Sequence, residues 1–170
     1  MYETDDDLMW LQDVLDRSAA AGGRHLKDVI TKERRLSAEG VCHHLQGMCL
    51  LVLATVSSDG RPINSAVDGI FHRGRFYFGS APDSLRFRHI RHNPAVSATH
   101  LPGEHLQVTV HGRAEVIDPL APEHAAFARQ VSEYYDARYG EGWLKAITST
   151  GALFARIEPQ RMFTFFMPDA

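Results

Sequence analysis

The sequence has few cysteines, no long apolar run and no large excess of charge of either sign. Two cysteines, Cys42 and Cys49, are too few for a disulfide framework, and their spacing matches no zinc module. We interpret them as buried free thiols. The longest strongly apolar run, residues 49–56, is far shorter than the roughly 20 residues that cross a bilayer. The acidic start at residues 3–7 is not that of a signal peptide, so we expect a cytoplasmic protein with no membrane partner.

The charge balance also limits the choice of partners. Eighteen Lys and Arg residues against 21 Asp and Glu residues give a formal net charge of −3, which provides no global field to attract nucleic acid. Aromatic and basic residues do not alternate along any segment in the manner of a nucleic-acid groove. We therefore predict no nucleic-acid partner, and any anion site has to be a local cluster.

Several catalytic and metal signatures are absent. The sequence has no Gly-x-Ser-x-Gly elbow and no HxxxH motif with an intervening Glu, so hydrolase chemistry has no support. Ten histidines are present, but His43 and His44 are adjacent and diverge, and His89 and His92 are three apart on a predicted helix. This spacing predicts no metal site.

What is present is one ordinary folded domain of 170 residues, 44% apolar and 23% charged. Apolar periodicity predicts helices over about residues 6–15, 37–46, 84–92 and 122–139. Alternation and turn residues predict seven strands over residues 49–56, 62–70, 75–79, 95–101, 105–118, 152–157 and 162–167. Most are joined by hairpins, which favours a mostly β (α+β) fold with a closed antiparallel barrel. A short helix follows the third strand, and residues 1–46 form an N-terminal helical extension to the barrel domain at 47–170.

One segment has the composition of a phosphate site. Ser84 and the arginines Arg86, Arg88 and Arg91 lie at the start of a predicted helix, directly after a strand and the small-residue loop 79–82. Free N–H groups at a helix N-terminus attract anions, and each Arg can hold phosphate oxygens in a bidentate pair. The alternative is a solvent-facing basic surface with Ser84 as a plain N-cap. Composition alone favours that alternative, because no glycine-rich phosphate loop is present.

The order of motifs along the chain nevertheless follows a known pattern. The motifs are the strand 50–56, the turn Asp59-Gly60-Arg61-Pro62, the strand Gly74-Arg75-Phe76-Tyr77-Phe78, the segment Ser84-x-Arg86-x-Arg88-x-Ile90-x-x-Asn93-Pro94, the strand 107–115 and Ile157-x-Pro159-x-Arg161-Met162. Together they resemble the pyridoxamine 5′-phosphate oxidase-like family of flavin-binding split barrels. The resemblance covers about residues 47–166 and leaves the first 45 residues outside it.

The resemblance implies a homodimer of antiparallel split β-barrels with FMN or a related flavin in two clefts at the subunit interface. It implies a flavoprotein oxidoreductase acting on a small-molecule substrate, and it assigns cofactor-binding roles by position. The residues concerned are Ser84, Arg86 and Arg88 for the phosphate, Ser65, Ala66 and Val67 along the flavin ring, Phe78, Gly79 and Ser80 beside it, and Gln107. Trp143 either reaches the cofactor from the second chain or has a packing role.

Departures from the family pattern bear on the substrate. The true oxidases carry Arg where this chain has Ser65 and Lys where it has Ile70, so we do not expect pyridoxamine phosphate to be the substrate. Alternatives on the same fold are a reductase that uses the deazaflavin coenzyme and a flavin- or haem-binding protein without turnover. No residue is identified as catalytic; Asp68, His72 and Tyr77 are candidates for the substrate side, each with an ordinary turn, surface or packing role as the alternative.

Overall fold

A computed structural model describes residues 2–167, and within them six strands form one closed antiparallel barrel. The strands are β1 (Met48–Val56), β2 (Pro62–His72), β3 (Arg75–Ser80), β4 (Ala95–Gly103), β5 (Leu106–Ile117) and β6 (Leu153–Phe166). Their order around the barrel is β1-β2-β3-β6-β5-β4, and β4 pairs with β1 to close it. Successive hairpins build most of this order, as the short turns between predicted strands require.

Six α-helices accompany the barrel in the described residues. They are α1 (Asp5–Ala21), α2 (Arg24–Val29), α3 (Ala38–His44), α4 (Leu85–His92), α5 (Ala125–Tyr139) and α6 (Trp143–Ser149). Two helices begin at a serine N-cap, because the Ser37 and Ser84 hydroxyls accept hydrogen bonds from the backbone N–H groups of Gly40 and Phe87. No helix within residues 2–167 combines the length and the apolar character needed to span a bilayer.

The prediction of seven strands is wrong by one. The segments predicted as separate strands, 152–157 and 162–167, belong to the single strand β6, which continues through Pro159. Pro159 is tolerated there because the strand bulges: Gly112 pairs with Pro159 and His111 with Arg161, which leaves Gln160 as the extra residue. A side chain at Gly112 would put its Cβ only 2.1 Å from the carbonyl oxygen of Glu158, so the close approach at the bulge requires glycine.

Alternation along the strands separates the barrel interior from its outer face. Cys49, Leu51 and Leu53 of β1 are buried, while Leu50 and Val52 point outwards. The interior also takes apolar residues from helices. These are Leu11, Val14 and Leu15 of α1, Val41 and Cys42 of α3, and Phe87 and Ile90 of α4. The N-terminal helices therefore pack in the same core as the barrel.

Both thiols are free and buried, which confirms their predicted state. Burial raises the pKa of Cys42 and of Cys49 to about 12. Neither thiol is a nucleophile at neutral pH, because the thiolate is the reactive form.

Candidate cofactor site

The helix α4 begins where β3 ends, and this junction positions the predicted phosphate stretch. β3 ends at Ser80, and the chain turns at residues 81–84 into the helix. Phe87, fully buried, and Ile90, 4% exposed, fix α4 to the barrel, so its other face remains available to solvent. The N–H groups of the first turn point towards the loop, and only that of Phe87 is satisfied by the Ser84 cap.

Arg86 joins α4 to β2. Its Nη2 donates to the Ser65 hydroxyl at 3.1 Å and to the Ala66 carbonyl oxygen at 2.9 Å. Two stretches that the resemblance assigned to the cofactor, residues 65–67 and residues 84–88, thus meet at one guanidinium. We call the group Ser65, Ala66, Ser84, Arg86 and Arg88 the basic corner.

The positive charge of the basic corner has no carboxylate partner within the described residues. None of the ion pairs in the described residues involves Arg86 or Arg88. Arg86 is half-buried, and burial lowers the pKa of its guanidinium. Arg88 is exposed, and Arg91 donates to the Pro82 carbonyl oxygen at 3.0 Å across the loop. An anion bound here would offset the desolvation of Arg86.

The other residues of β2 and β3 that are predicted to bind the cofactor differ in how far they are buried. The side chains of Val67 and Phe78 are buried, at 7% and 2% exposure, so only their backbone faces outwards. Gly79 and Ser80 are half-buried at the end of β3. A Cβ at Gly79 would lie 3.0 Å from the Phe154 ring, so glycine allows this ring to pack against β3.

Gln107 is not brought to the basic corner within one chain. Its amide donates to the Thr109 hydroxyl at 2.9 Å, and Thr109 bonds in turn to Thr99 across β4. Thr99 lies opposite Val52, which lies opposite Ala66. Three strand spacings, roughly 14 Å, therefore separate Gln107 from the corner along the outer face.

A second feature, which we call the aromatic cavity, is lined by Gly79 and Ser80 at the end of β3, four residues before Ser84 of the corner. Its volume is about 340 Å³, and it lies among β2, β3, β6, α5 and α6. Its lining is mainly apolar and aromatic: Ile70, Tyr77, Phe127, Val131, Tyr135, Tyr139, Trp143, Ile147 and Phe154. Asp68, Ser80 and Thr150 add polar groups.

The rings of this cavity are packed on one another. Tyr135 and Trp143 stack with centroids 4.5 Å apart and planes 12° apart, and Tyr139 lies 5.8 Å from each of them. Tyr77 stacks on Phe127 at 4.2 Å. Burial raises the pKa of Tyr135 to about 12, so its hydroxyl remains protonated at neutral pH.

The aromatic cavity is a candidate site that was not predicted from the sequence. Trp143 lines the cavity of its own chain and stacks on α5. A partial signal for this was present, because Tyr135 and Tyr139 lie four residues apart in the predicted helix 122–139, the spacing of one helix face.

The three residues predicted as candidates for the substrate side lie in two different places. Asp68 and Tyr77 line the aromatic cavity. His72 is 3% exposed and bonds through Nδ1 to the Gln130 amide oxygen, away from the cavity surface. Burial lowers the pKa of His72, so the neutral imidazole is the form that the fold accommodates.

Comparison with known proteins agrees with the resemblance seen in the sequence. The family model described as pyridoxamine 5′-phosphate oxidase matches residues 45–166, well over half of the chain. The chain belongs to this family. Among curated proteins, none matches the sequence significantly.

Solved structures share the split-barrel fold of the family. The conserved hypothetical protein Rv2991 of Mycobacterium tuberculosis is 19% identical with a TM-score of 0.65, over 79% of this chain and 88% of its own. An FAD-binding protein of Mesorhizobium loti, mll6688, is 24% identical with a TM-score of 0.55, over 77% and 95%. An F420 reductase is 23% identical with a TM-score of 0.54, over 69% and 91%. Identities this low show the fold alone.

Proposed function

We propose that this chain is an FMN-dependent oxidoreductase that transfers a hydride to or from a small substrate. The observation that carries the proposal is the basic corner, where a half-buried guanidinium without a carboxylate partner is held against β2 at the start of α4. Family membership and the fold shared with an FAD-binding protein support a flavin as the ligand.

The donors of the corner fit a phosphate dianion. Arg86 uses only Nη2 within the described residues, which leaves its Nε and Nη1 groups for a ligand, and exposed Arg88 adds a second guanidinium. The N–H groups of Leu85 and Arg86 lie in the first helical turn and have no intrahelical acceptor. Two cations and a helix N-terminus together favour a dianion over a single negative charge.

Bound flavin would supply the hydride chemistry itself. The chain holds the phosphate at the corner and presents the backbone of residues 65–67 along β2 to the ring. The apolar lining of the aromatic cavity excludes water from the side next to Gly79 and Ser80. No acid or base lies in the corner.

We also propose that a second copy of the chain covers the outer face between the corner and Gln107. Leu50 and Val52 of β1 are 55% and 49% exposed there, with Leu101 of β4 at 56%. Adjacent exposed apolar side chains of this kind mark an interaction surface. A two-fold axis at this face would place Gln107 of the partner subunit towards the corner, which one chain alone does not do.

The deazaflavin coenzyme is the second candidate ligand. The shared fold with an F420 reductase favours it, and its longer anionic tail would use Arg91 in addition to Arg86 and Arg88. The two ligands differ in spectrum and mass, so they are readily distinguished.

The decisive experiment is to purify the protein, release any chromophore by denaturation and determine its mass. We expect yellow protein with released FMN, and oxidation of a reduced nicotinamide by the holoprotein. Colourless protein that binds added deazaflavin coenzyme but not FMN would assign the second candidate. Tight FMN binding without turnover of any reduced nicotinamide would leave a binding protein instead of an enzyme.

The dimer is tested by sedimentation of wild-type protein and of Val52→Glu. We expect twice the chain mass for the wild type and one chain mass for Val52→Glu, because a carboxylate in a buried apolar interface is costly. Val116→Glu is the matched control, because Val116 is similarly exposed, at 47%, at the far end of β5 from Gln107. A monomeric wild-type protein would refute the proposal that a second copy of the chain covers this face.

A further inference from the structure

The aromatic cavity has a charge character opposite to that of the basic corner beside it. Among its lining residues there is no Lys, Arg or His, and Asp68 is the one charged side chain. Asp68 is exposed on the outer face of β2, opposite Leu50, and no ion pair of the described residues involves it. The cavity therefore carries an unbalanced negative charge at its edge.

The arginines close to lining residues are engaged by other groups. Arg91 donates to the carbonyl oxygen of Pro82, a lining residue, at 3.0 Å. Arg156 pairs with Glu115 at 3.0 Å and with Glu158 at 2.8 Å. Arg138 lies over the Tyr139 ring, 5.4 Å from its centroid. None of these arginines is among the lining residues, so an anion inside the cavity would face the Asp68 carboxylate and no cation of the lining.

The lining favours a flat ligand with positive charge. Tyr135, Tyr139 and Trp143 present near-parallel ring planes, and the electron-rich faces of Tyr and Trp attract cations. A planar ring also gains by stacking on them. The volume of about 340 Å³ lies near the lower end of the range for ligand pockets, which suits a ligand of one or two fused rings.

We propose that the aromatic cavity binds a planar aromatic cation of one or two fused rings, with its charge beside Asp68 and its ring on the Tyr135–Tyr139–Trp143 surface. The inference rests on the proposed function for its role as the substrate position, because Gly79 and Ser80 belong both to this cavity and to the predicted flavin-binding stretch. The charge preference itself follows from the lining alone.

The test uses three probes that share one ring system and differ in charge: N-methylquinolinium, quinoline and quinoline carboxylate, at pH 8. Trp10 and Trp143 are the two tryptophans of the chain, so Trp10→Phe makes Trp143 the single fluorescent reporter. We expect quenching by the cation with an affinity roughly tenfold above that for the carboxylate. Asp68→Asn should remove most of that preference, whereas Asp59→Asn, which removes an exposed carboxylate in the β1–β2 turn, should not.

Calorimetry provides a readout that does not depend on fluorescence. We expect Trp143→Ala to weaken cation binding roughly tenfold and Trp143→Phe to retain most of it, because the phenyl ring still offers a stacking surface. Equal binding of the three probes, tighter binding of the carboxylate or an unchanged preference in Asp68→Asn would overturn the proposal.

Titrations with FMN separate this inference from the proposed function. Cation binding that persists in FMN-loaded protein supports a ligand position next to the flavin. Competition between the cation and FMN would overturn the proposal, because the cavity would then be the flavin-ring site itself. If the cation binds with the predicted preference and FMN does not bind at all, the charge preference stands and the proposed function fails.

Discussion

The basic corner and the aromatic cavity are neighbours that differ in almost every chemical respect. The corner is formed by β2 and α4 from hydroxyl, carbonyl and guanidinium groups and has no aromatic ring among its members. The cavity is formed mainly by rings on β3, β6, α5 and α6 and has no cation in its lining. Anion binding and ring binding are thus assigned to different elements, so each can be disrupted by substitutions that leave the other intact.

The largest expected effect comes from removing the charge of the corner. Arg86→Ala combined with Arg88→Ala should weaken FMN binding by about 3–6 kcal/mol, since charge-assisted hydrogen bonds contribute roughly 1.5–3 kcal/mol each. Titration of apoprotein with FMN measures the loss. Binding of N-methylquinolinium to the cavity should change little in the same variant.

Two further variants make this prediction specific. Arg88→Ala alone leaves the Arg86 hydrogen bonds to Ser65 and Ala66 in place. The decrease in FMN affinity of this variant therefore measures the contact of Arg88 with the ligand, with the link between β2 and α4 intact. Arg61→Ala removes an exposed arginine of the β1–β2 turn and should leave FMN affinity unchanged. Full FMN affinity in the double variant would remove the phosphate assignment.

The next largest effect is expected from a substitution in the aromatic cavity. Phe127 is 2% exposed and stacks on Tyr77 at the centre of a small core formed with Val131, Leu144 and Phe154. Phe127→Ala should lower the free energy of unfolding by about 3–5 kcal/mol, as deletion of a buried ring does. Chemical denaturation measures this loss.

The ligand affinities of that variant test the separation of the two regions. We expect Phe127→Ala to abolish binding of the cationic probe under native conditions while FMN affinity stays within a few-fold of wild type. Phe165→Ala, which removes a half-buried ring of β6, is the matched control for the loss of an aromatic side chain. A parallel loss of FMN affinity would show that the corner depends on the α5–α6 cover.

The barrel was predictable because its signals are local. The alternation in β1 and the positive-φ glycine Gly60 in the turn after it specify a hairpin without reference to the rest of the chain. The continuity of β6 was not predictable in this way. It depends on Gly112, 47 residues before Pro159, which leaves room for the bulge.

The same contrast holds for the sites. The composition around Ser84 was visible in the sequence, but the contact of Arg86 with Ser65 and Ala66 depends on how α4 folds back against β2. The residues that line the aromatic cavity are even further apart in sequence. Its lining extends from Asp68 to Phe154, and only the four-residue spacing of Tyr135 and Tyr139 on one helix is visible in the sequence.

A smaller effect is expected at the junction of the two regions. In Gly79→Ala the added Cβ would lie 3.0–3.3 Å from the Phe154 ring, so this ring has to move by a few tenths of an ångström. We expect a loss of about 1 kcal/mol in unfolding free energy and a larger decrease in affinity for the cationic probe than for FMN. Gly23→Ala, with no atom within 4 Å of the new Cβ, is the control. Equal decreases for both ligands would mean that the junction belongs to both sites alike.

The smallest effect is a pH dependence of the unfolding free energy, which we expect from His72, a buried neighbour of the aromatic cavity. His72 packs against Tyr77 and Phe127, and its Nδ1–H donates to the Gln130 amide oxygen. Gln130 is fixed in this orientation because its NH₂ group donates to the Phe71 carbonyl oxygen at 3.0 Å. The site is therefore built for a neutral imidazole, and desolvation lowers the pKa of His72 below its usual value of 6.5.

The sign of the pH effect follows from this lowered pKa. Between pH 6.5 and the lowered pKa of the folded state, the unfolded chain binds a proton at His72 that the folded chain does not. The unfolding free energy therefore decreases as the pH falls through this window, by at most about 1.4 kcal/mol per pH unit. Urea denaturation at pH 7.5 and 5.5 should show a smaller decrease for His72→Gln, which keeps a hydrogen-bonding amide but cannot titrate. His92→Gln, at an exposed histidine of α4 near the corner, should retain the wild-type decrease. If His72→Gln and wild type lose equal stability on acidification, the titration belongs to other groups, and the aromatic region is no more sensitive to pH than the basic corner.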